Sequence, residues 1–206
     1  MTDASKEEAI QTIQAALAAF YRAGWLPAGE GSLSVRGEDQ GGLLAAAPSP
    51  LAGIDTADVT TLSAKASPAA ALHLTVFEAI EDAQSVAHLF PLEALLCGDR
   101  DASRGFTHLH GIPLAAQLGA DDDLSVDLPV LAIEGDDPGE ELADYFASED
   151  RSEFPLINLK NRGVLVWGED VAQVMNRAEA LAFLYGYSWR RPMNQPKKAA
   201  TAGFGL

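Results

Sequence analysis

Residues 156–168 read LINLKNRGVLVWG, two short apolar runs parted by Lys-Asn-Arg-Gly. Runs of this length, rich in branched aliphatics and bounded by an Asn/Gly turn, predict two strands joined at Asn161–Gly163. The next residues, EDVAQVMNRAEALAFLYGYSWRR, carry helical spacing over more than twenty positions and predict the longest helix of the chain. A strand pair fed directly into a long helix requires a sheet with a helical layer on it.

The same alternation runs through the rest of the sequence. Ile10, Ile13, Leu17 and Phe20 predict a helix over 5–23, with Ser5 and Glu8 spaced as a capping box and Gly24 as its stop. GSLSVRGEDQGGLLAAA predicts two strands around a turn at Gly37–Gly42, and the stretch to VTTLS a loop ending in a strand. SPAAALHLTVFEAIED predicts a second helix, with Ser67 as N-cap and Pro68 in its first turn. SVAHLF reads as a buried strand, PLEALLCG as a short helix, FTHLHGIP and LPVLAI as strands, and DDPGEELADYFAS as an acid-capped helix. The pattern is an α/β chain with a mixed sheet between helical layers, in one domain over 1–191. The remainder, PMNQPKKAATAGFGL (192–206), is expected to be a flexible tail.

Charge narrows the partners. Thirty acidic residues against fourteen Lys and Arg give a net charge of −16, which disfavours nucleic acid and anionic membranes. It suits solubility, a saline habitat or a basic partner. No segment has the apolar length of a membrane span, and the acidic N-terminus does not read as a signal peptide, so a cytoplasmic protein is expected. Cys97 is the single cysteine, with no partner for a disulfide or a metal pair, and its place after EALL suits a buried small hydrophobe.

The order RAGWLPAGEGSLSVR, PSP, SPAAALHLTVFEAI, SVAHLFPLEALL, HLHGIPLAAQLGA and LKNRGVLVWGEDVAQVMNRAEALAFLY resembles the class II aldolase/adducin family, from about residue 8 to residue 191. Within that family the resemblance is strongest to the bacterial methylthioribulose-1-phosphate dehydratases of methionine salvage. It implies a three-layer α/β/α sandwich around a mixed, mainly antiparallel sheet. It also implies oligomers, usually tetramers, with active sites between subunits. A divalent metal, often zinc, polarises a substrate oxygen as a Lewis acid in such enzymes.

Set on that pattern, the chemical positions are changed. The His-Thr-His strand end corresponds to His88 and Phe90, so His88 is a remnant metal ligand only. The third histidine corresponds to Arg162, the catalytic carboxylate to Ala69, and an acidic residue after His-Gly to Pro113. Of the phosphate loops, Gly31 and Ser34 match, Ser32 replaces an Asn, Ser49 matches, and Pro50 stands where a glycine is usual, with no lysine nearby. Ser32, Ser34, Ser49 and Arg162 are therefore the candidate remnant pocket. One imidazole does not hold zinc, which takes three or four protein ligands. No cofactor is expected; zinc is the candidate if the family chemistry is retained.

Other residues offer alternatives. His108 and His110 have the i, i+2 spacing that puts two side chains on one face of a strand, and could seat a metal. His73 sits on the inner stripe of its helix, where a hydrogen-bonded core histidine is the simpler expectation. Arg162 can be read as an anion-holding guanidinium in the metal's place or as a surface turn arginine. Trp167 and Trp189 read as core and interface aromatics. Leu181, Phe183, Leu184 and Tyr185 give the last helix more apolar surface than one sheet face needs. Two functions follow as expectations: a non-catalytic structural, scaffolding or regulatory family member, homo-oligomeric or paired with an intact paralogue, or a divergent dehydratase or sugar-phosphate lyase with a remodelled site.

Overall fold

The computed structural model describes residues 3–37, 42–46, 59–62, 68–109, 112–120, 124–135 and 137–191. Their helices are α1 (Asp3–Arg22), α2 (Pro68–Ala79), α3 (Leu92–Asp101), α4 (Pro138–Ala147) and α5 (Val171–Arg190). The strands are β1 (Ser32–Arg36), β2 (Gly42–Ala46), β3 (Val59–Leu62), β4 (Ser85–Leu89), β5 (Phe106–Leu109), β6 (Val126–Leu131), β7 (Leu156–Leu159) and β8 (Gly163–Gly168). They form one sheet in the order β3-β2-β1-β4-β8-β7-β6-β5. Only the β6–β7 pair is parallel, which gives the mixed, mainly antiparallel sheet.

Side-chain alternation divides the core in two. Leu33, Ala87, Leu89, Val164 and Val166 point to the face covered by α1, α3 and α5. Val86, Ile157, Leu165 and Trp167 point to the opposite face, under α2 and α4. The central strands β4, β7 and β8 are buried along their whole length, so their apolar runs need no polar face. The result is the three-layer α/β/α sandwich.

Local chemistry sets most ends. The Asp170 carboxylate accepts the Gln173 N–H at the start of α5, and Asp137 caps α4 through Gly139 and Glu140. α1 begins at Asp3, so Ser5 and Glu8 lie within its first turns rather than forming the expected cap. The Ser67 cap and the tail lie outside the described residues, as does the turn between β1 and β2. Within FTHLHGIP, β5 covers FTHL and His110 and Gly111 lie outside the described residues; Pro113 opens a 3₁₀ turn, where its fixed φ and missing N–H suit a first helical position.

The β7–β8 turn decides the candidate site. Asn161 (φ 58°) and Gly163 (φ 92°) both take left-handed backbone, which Asn tolerates and Gly adopts freely. A Cβ on Gly163 would lie 2.6 Å from the Leu89 carbonyl oxygen and 2.9 Å from His88 Nε2. Only glycine lets the turn lie against the end of β4.

Candidate functional site

The β1–β4 register pairs Ser32 with His88 and Ser34 with Val86. Ser32, Ser34 and His88 therefore share the face beneath α2, from which His73 descends. The four side chains form one buried polar seam in an otherwise apolar layer.

His73 is fully buried, and both of its ring nitrogens are engaged. Its Nε2 lies 2.8 Å from Ser32 Oγ and its Nδ1 2.6 Å from Ser34 Oγ. A neutral imidazole has one donor and one acceptor nitrogen, so one serine donates to the ring and the other accepts from it. Burial, reinforced by His88, pushes the His73 pKa down to about 3, and the neutral ring is the one present at neutral pH. Ser85 donates to the Ser34 carbonyl at 3.0 Å and ties the same seam to β4. A serine 2.6 Å from an imidazole has the spacing of an activated nucleophile, but Ser34 and His73 have no exposed surface at all. Here the pair is a strut between α2 and the sheet.

His88 ends β4 with its Nε2 2.5 Å from the carbonyl oxygen of Arg162. A carbonyl can only accept, so Nε2 carries the hydrogen and the ring's lone pair sits on Nδ1. The Phe90 ring lies against the imidazole, centroids 4.8 Å apart and planes tilted by 41°. Phe90 itself is fixed by its N–H to the Trp25 carbonyl at 2.9 Å. Burial holds His88 below the ordinary imidazole range, while the Arg162 carbonyl and the nearby charge of Glu30 act in the opposite sense.

Arg162 presents its backbone to this seam. Its carbonyl meets His88, and its N–H donates to the Leu159 carbonyl at 2.8 Å. The side chain is exposed, and among the described residues its guanidinium makes no ion pair. Ala69 stands one turn before His73 and offers a methyl group where the resemblance implies a carboxylate. The Ser32 and Ser34 hydroxyls are turned to His73 and are not open to a ligand. Ser49 lies outside the described residues.

The alternative histidine pair is only half described. His108 is exposed and bonded through Nδ1 to Asp127 at 2.6 Å; His110 lies outside the described residues. Among the described residues no three His, Cys, Asp or Glu side chains come together to hold a metal ion. The donors described do not fit the divalent ion that the resemblance implies, because His88 stands there as a single imidazole and such an ion takes three or four protein ligands. Trp167 and Cys97 are buried, whereas Trp189 is 42 % exposed.

Two participants were not evident in the sequence. Glu30 is brought beside His88 by the loop before β1, and Trp25 supplies the carbonyl that fixes Phe90. Glu30 stands next to Gly31, whose φ of 116° and closeness to the His88 carbonyl (2.8 Å from a Cβ built there) show that this loop touches β4.

Curated relatives agree with this architecture. The chain is 27 % identical over 202 residues to the methylthioribulose-1-phosphate dehydratase of Cronobacter sakazakii, covering 91 % of this chain and 97 % of that protein. It is 28 % identical over 184 residues to the enzyme of the same name from Parvibaculum lavamentivorans, covering 82 % and 87 %. Among solved structures, the L-fuculose-1-phosphate aldolase of Thermus thermophilus superposes with a TM-score of 0.66 at 14 % identity, over 85 % of this chain and 90 % of that one. A sugar-phosphate aldolase from Thermotoga maritima gives 0.62 at 15 % identity, over 90 % and 95 %. The family described as Class II Aldolase and Adducin N-terminal domain matches residues 11–187, and the chain belongs to it.

Proposed function

We propose that this chain is a non-catalytic member of the class II aldolase family, a cytoplasmic homo-oligomer with a structural, scaffolding or regulatory role linked to methionine salvage. The observation that carries the reading is that among the described residues no three His, Cys, Asp or Glu side chains come together, so His88 has no companion ligands. The remnant ligand donates to a backbone carbonyl, with Phe90 packed on its ring. Ala69 and the buried serines supply no acid, base or anion hole to the same seam. Lewis-acid chemistry of the family type needs an ion with an open coordination position, and these donors do not provide one. A hetero-oligomer with an intact paralogue is the variant of this reading in which the partner keeps the chemistry.

A second reading is favoured by the near full-length similarity to the dehydratases and by the exposed Arg162 guanidinium. In it a divergent dehydratase or related sugar-phosphate lyase uses that cation to stabilise an oxyanion. Metal analysis of the purified protein, with an assay on methylthioribulose 1-phosphate, separates the two. The first reading expects substoichiometric zinc, iron and manganese and no turnover. Stoichiometric metal that is lost in His88→Ala, or turnover abolished in Arg162→Ala, would sink it.

A further inference from the structure

The buried part of α5 ends at Tyr185. Leu181, Leu184 and Tyr185 are fully buried, whereas Gly186 and Ser188 are half-buried and Tyr187, Trp189 and Arg190 are exposed. The first residue past this boundary is glycine, a weak helix former because ordering it removes the most backbone freedom. Burial therefore fastens α5 to the sheet as far as Tyr185 and contributes little to its last turn.

The last turn is held by α3 through charged side chains. Arg100 Nη2 donates to Ser188 Oγ at 3.2 Å, and the guanidinium carbon lies 5.9 Å from the centre of the Trp189 ring, within cation–π reach. Arg190 donates to Glu93 at 2.6 Å, near the other end of α3. Three consecutive residues of α5 are thus met by two residues of one helix. Arg100 is itself fixed by the buried carboxylate of Asp101, which accepts from its Nε at 2.8 Å and its Nη2 at 2.6 Å. The Arg190 side chain is 77 % exposed, and exposed charge contacts of this kind are individually weak and are screened by salt.

We propose that Gly186–Arg190 is a latch. It swings about Gly186 as a unit while the rest of the protein stays folded, with Arg100 as its catch and ionic strength setting how often it is open. Opening frees Trp189 and Arg190 from α3 and turns the direction in which the chain leaves the helix at Arg191. Opening also breaks the last backbone bonds of the helix, among them the Arg191 N–H to the Tyr187 carbonyl at 2.9 Å. The inference concerns a motion of the scaffold and stands whether or not the pocket is catalytic.

The test is residue-resolved amide hydrogen exchange on the full chain. Raising sodium chloride from about 0.05 M to about 1 M should speed exchange at 187–191 roughly threefold relative to 174–184. At low salt Arg100→Gln should speed the same five amides about tenfold. Glu93→Gln, a change outside the Asp101 cluster, should act in the same direction and guards against misfolding of the first variant. Arg104→Gln removes a different donor to Asp101, one whose ring contact is Phe106 of β5, and should leave these amides as in wild type. Gly186→Ala should slow them, since alanine stiffens the hinge. Uniform acceleration along all of α5, no response to salt, equal exchange in Arg100→Gln and Arg104→Gln, or unchanged exchange in Gly186→Ala overturns the proposal. Metal content and turnover play no part in these outcomes, so a failure here is separable from a failure of the proposed function.

Discussion

His88 Nε2 lies 2.5 Å from the carbonyl oxygen of Arg162, a contact that joins the end of β4 to the β7–β8 turn across 74 positions of sequence. It links the two segments that a shared metal would otherwise join. Truncating His88→Ala removes a buried side chain and its hydrogen bond to the Arg162 carbonyl, and the expected loss is about 1–3 kcal/mol. A ligand that binds only the folded state raises stability by mass action. Zinc or a chelator should therefore leave the wild-type urea midpoint unchanged, while His88→Ala lowers it equally with or without zinc. A zinc-dependent rise in wild type, absent from the variant, would reverse the reading of this residue.

Acid should weaken the fold through His73 before most carboxylates titrate. Its folded pKa is pushed from 6.5 down to about 3, so below pH 6.5 the unfolded chain binds a proton that the folded chain refuses. The stabilising contribution is complete above pH 6.5 and is lost as pH falls toward about 3, at up to ~1.4 kcal/mol per pH unit. His88, also lowered, acts in the same direction. Urea midpoints between pH 7.5 and 4 should show this slope, and His73→Gln should reduce it by about one proton. An identical slope in the variant would assign the effect elsewhere.

Gly163 and Gly105 make a matched comparison. Both have positive φ (92° and 78°), but a Cβ at Gly163 meets Leu89 and His88, whereas one at Gly105 meets nothing within 4 Å. Gly105→Ala should cost about 1 kcal/mol for the left-handed backbone alone. Gly163→Ala should cost roughly 2–4 kcal/mol, since strain and collision add. Melting temperatures of the two variants test the difference; equal shifts would mean the turn relaxes away from β4.

Asp101 is fully buried at the end of α3, where it takes bidentate hydrogen bonds from Arg100 and others from Arg104 and Thr107. Burial opposes its charge, but those three donors outweigh it and hold the carboxyl below the usual carboxylate range. Its contribution is thus present above pH 4 and lost on strong acidification. Asp101→Leu should cost roughly 2–3 kcal/mol, because Arg100 and Thr107 lose a shared acceptor. Asp127→Asn alters a hydrogen bond with His108 that is more than half exposed, and should cost under ~1 kcal/mol. Chemical denaturation of both variants at pH 7.5 should show that order.

What the sequence determined by itself is the layered fold. The apolar runs of VLVW and SVAHL and the period-3.6 pattern of the α5 segment are set by which faces must leave water, and that is local information. The side chains at the positions the resemblance singles out, Phe90, Arg162 and Ala69, were legible for the same reason, since a side chain's donors are known from its name. What only the tertiary structure decided is where the remaining polar groups spend their hydrogen bonds. Ser32 and Ser34 match a phosphate loop in sequence, yet they turn to His73 because the β1–β4 register and α2 place that buried ring between them. Arg162 acts through a backbone carbonyl that every residue type possesses, so no reading of its side chain could find the contact with His88. Buried hydrogen-bond partners are chosen by proximity between distant segments, and that proximity exists only after the sheet has formed.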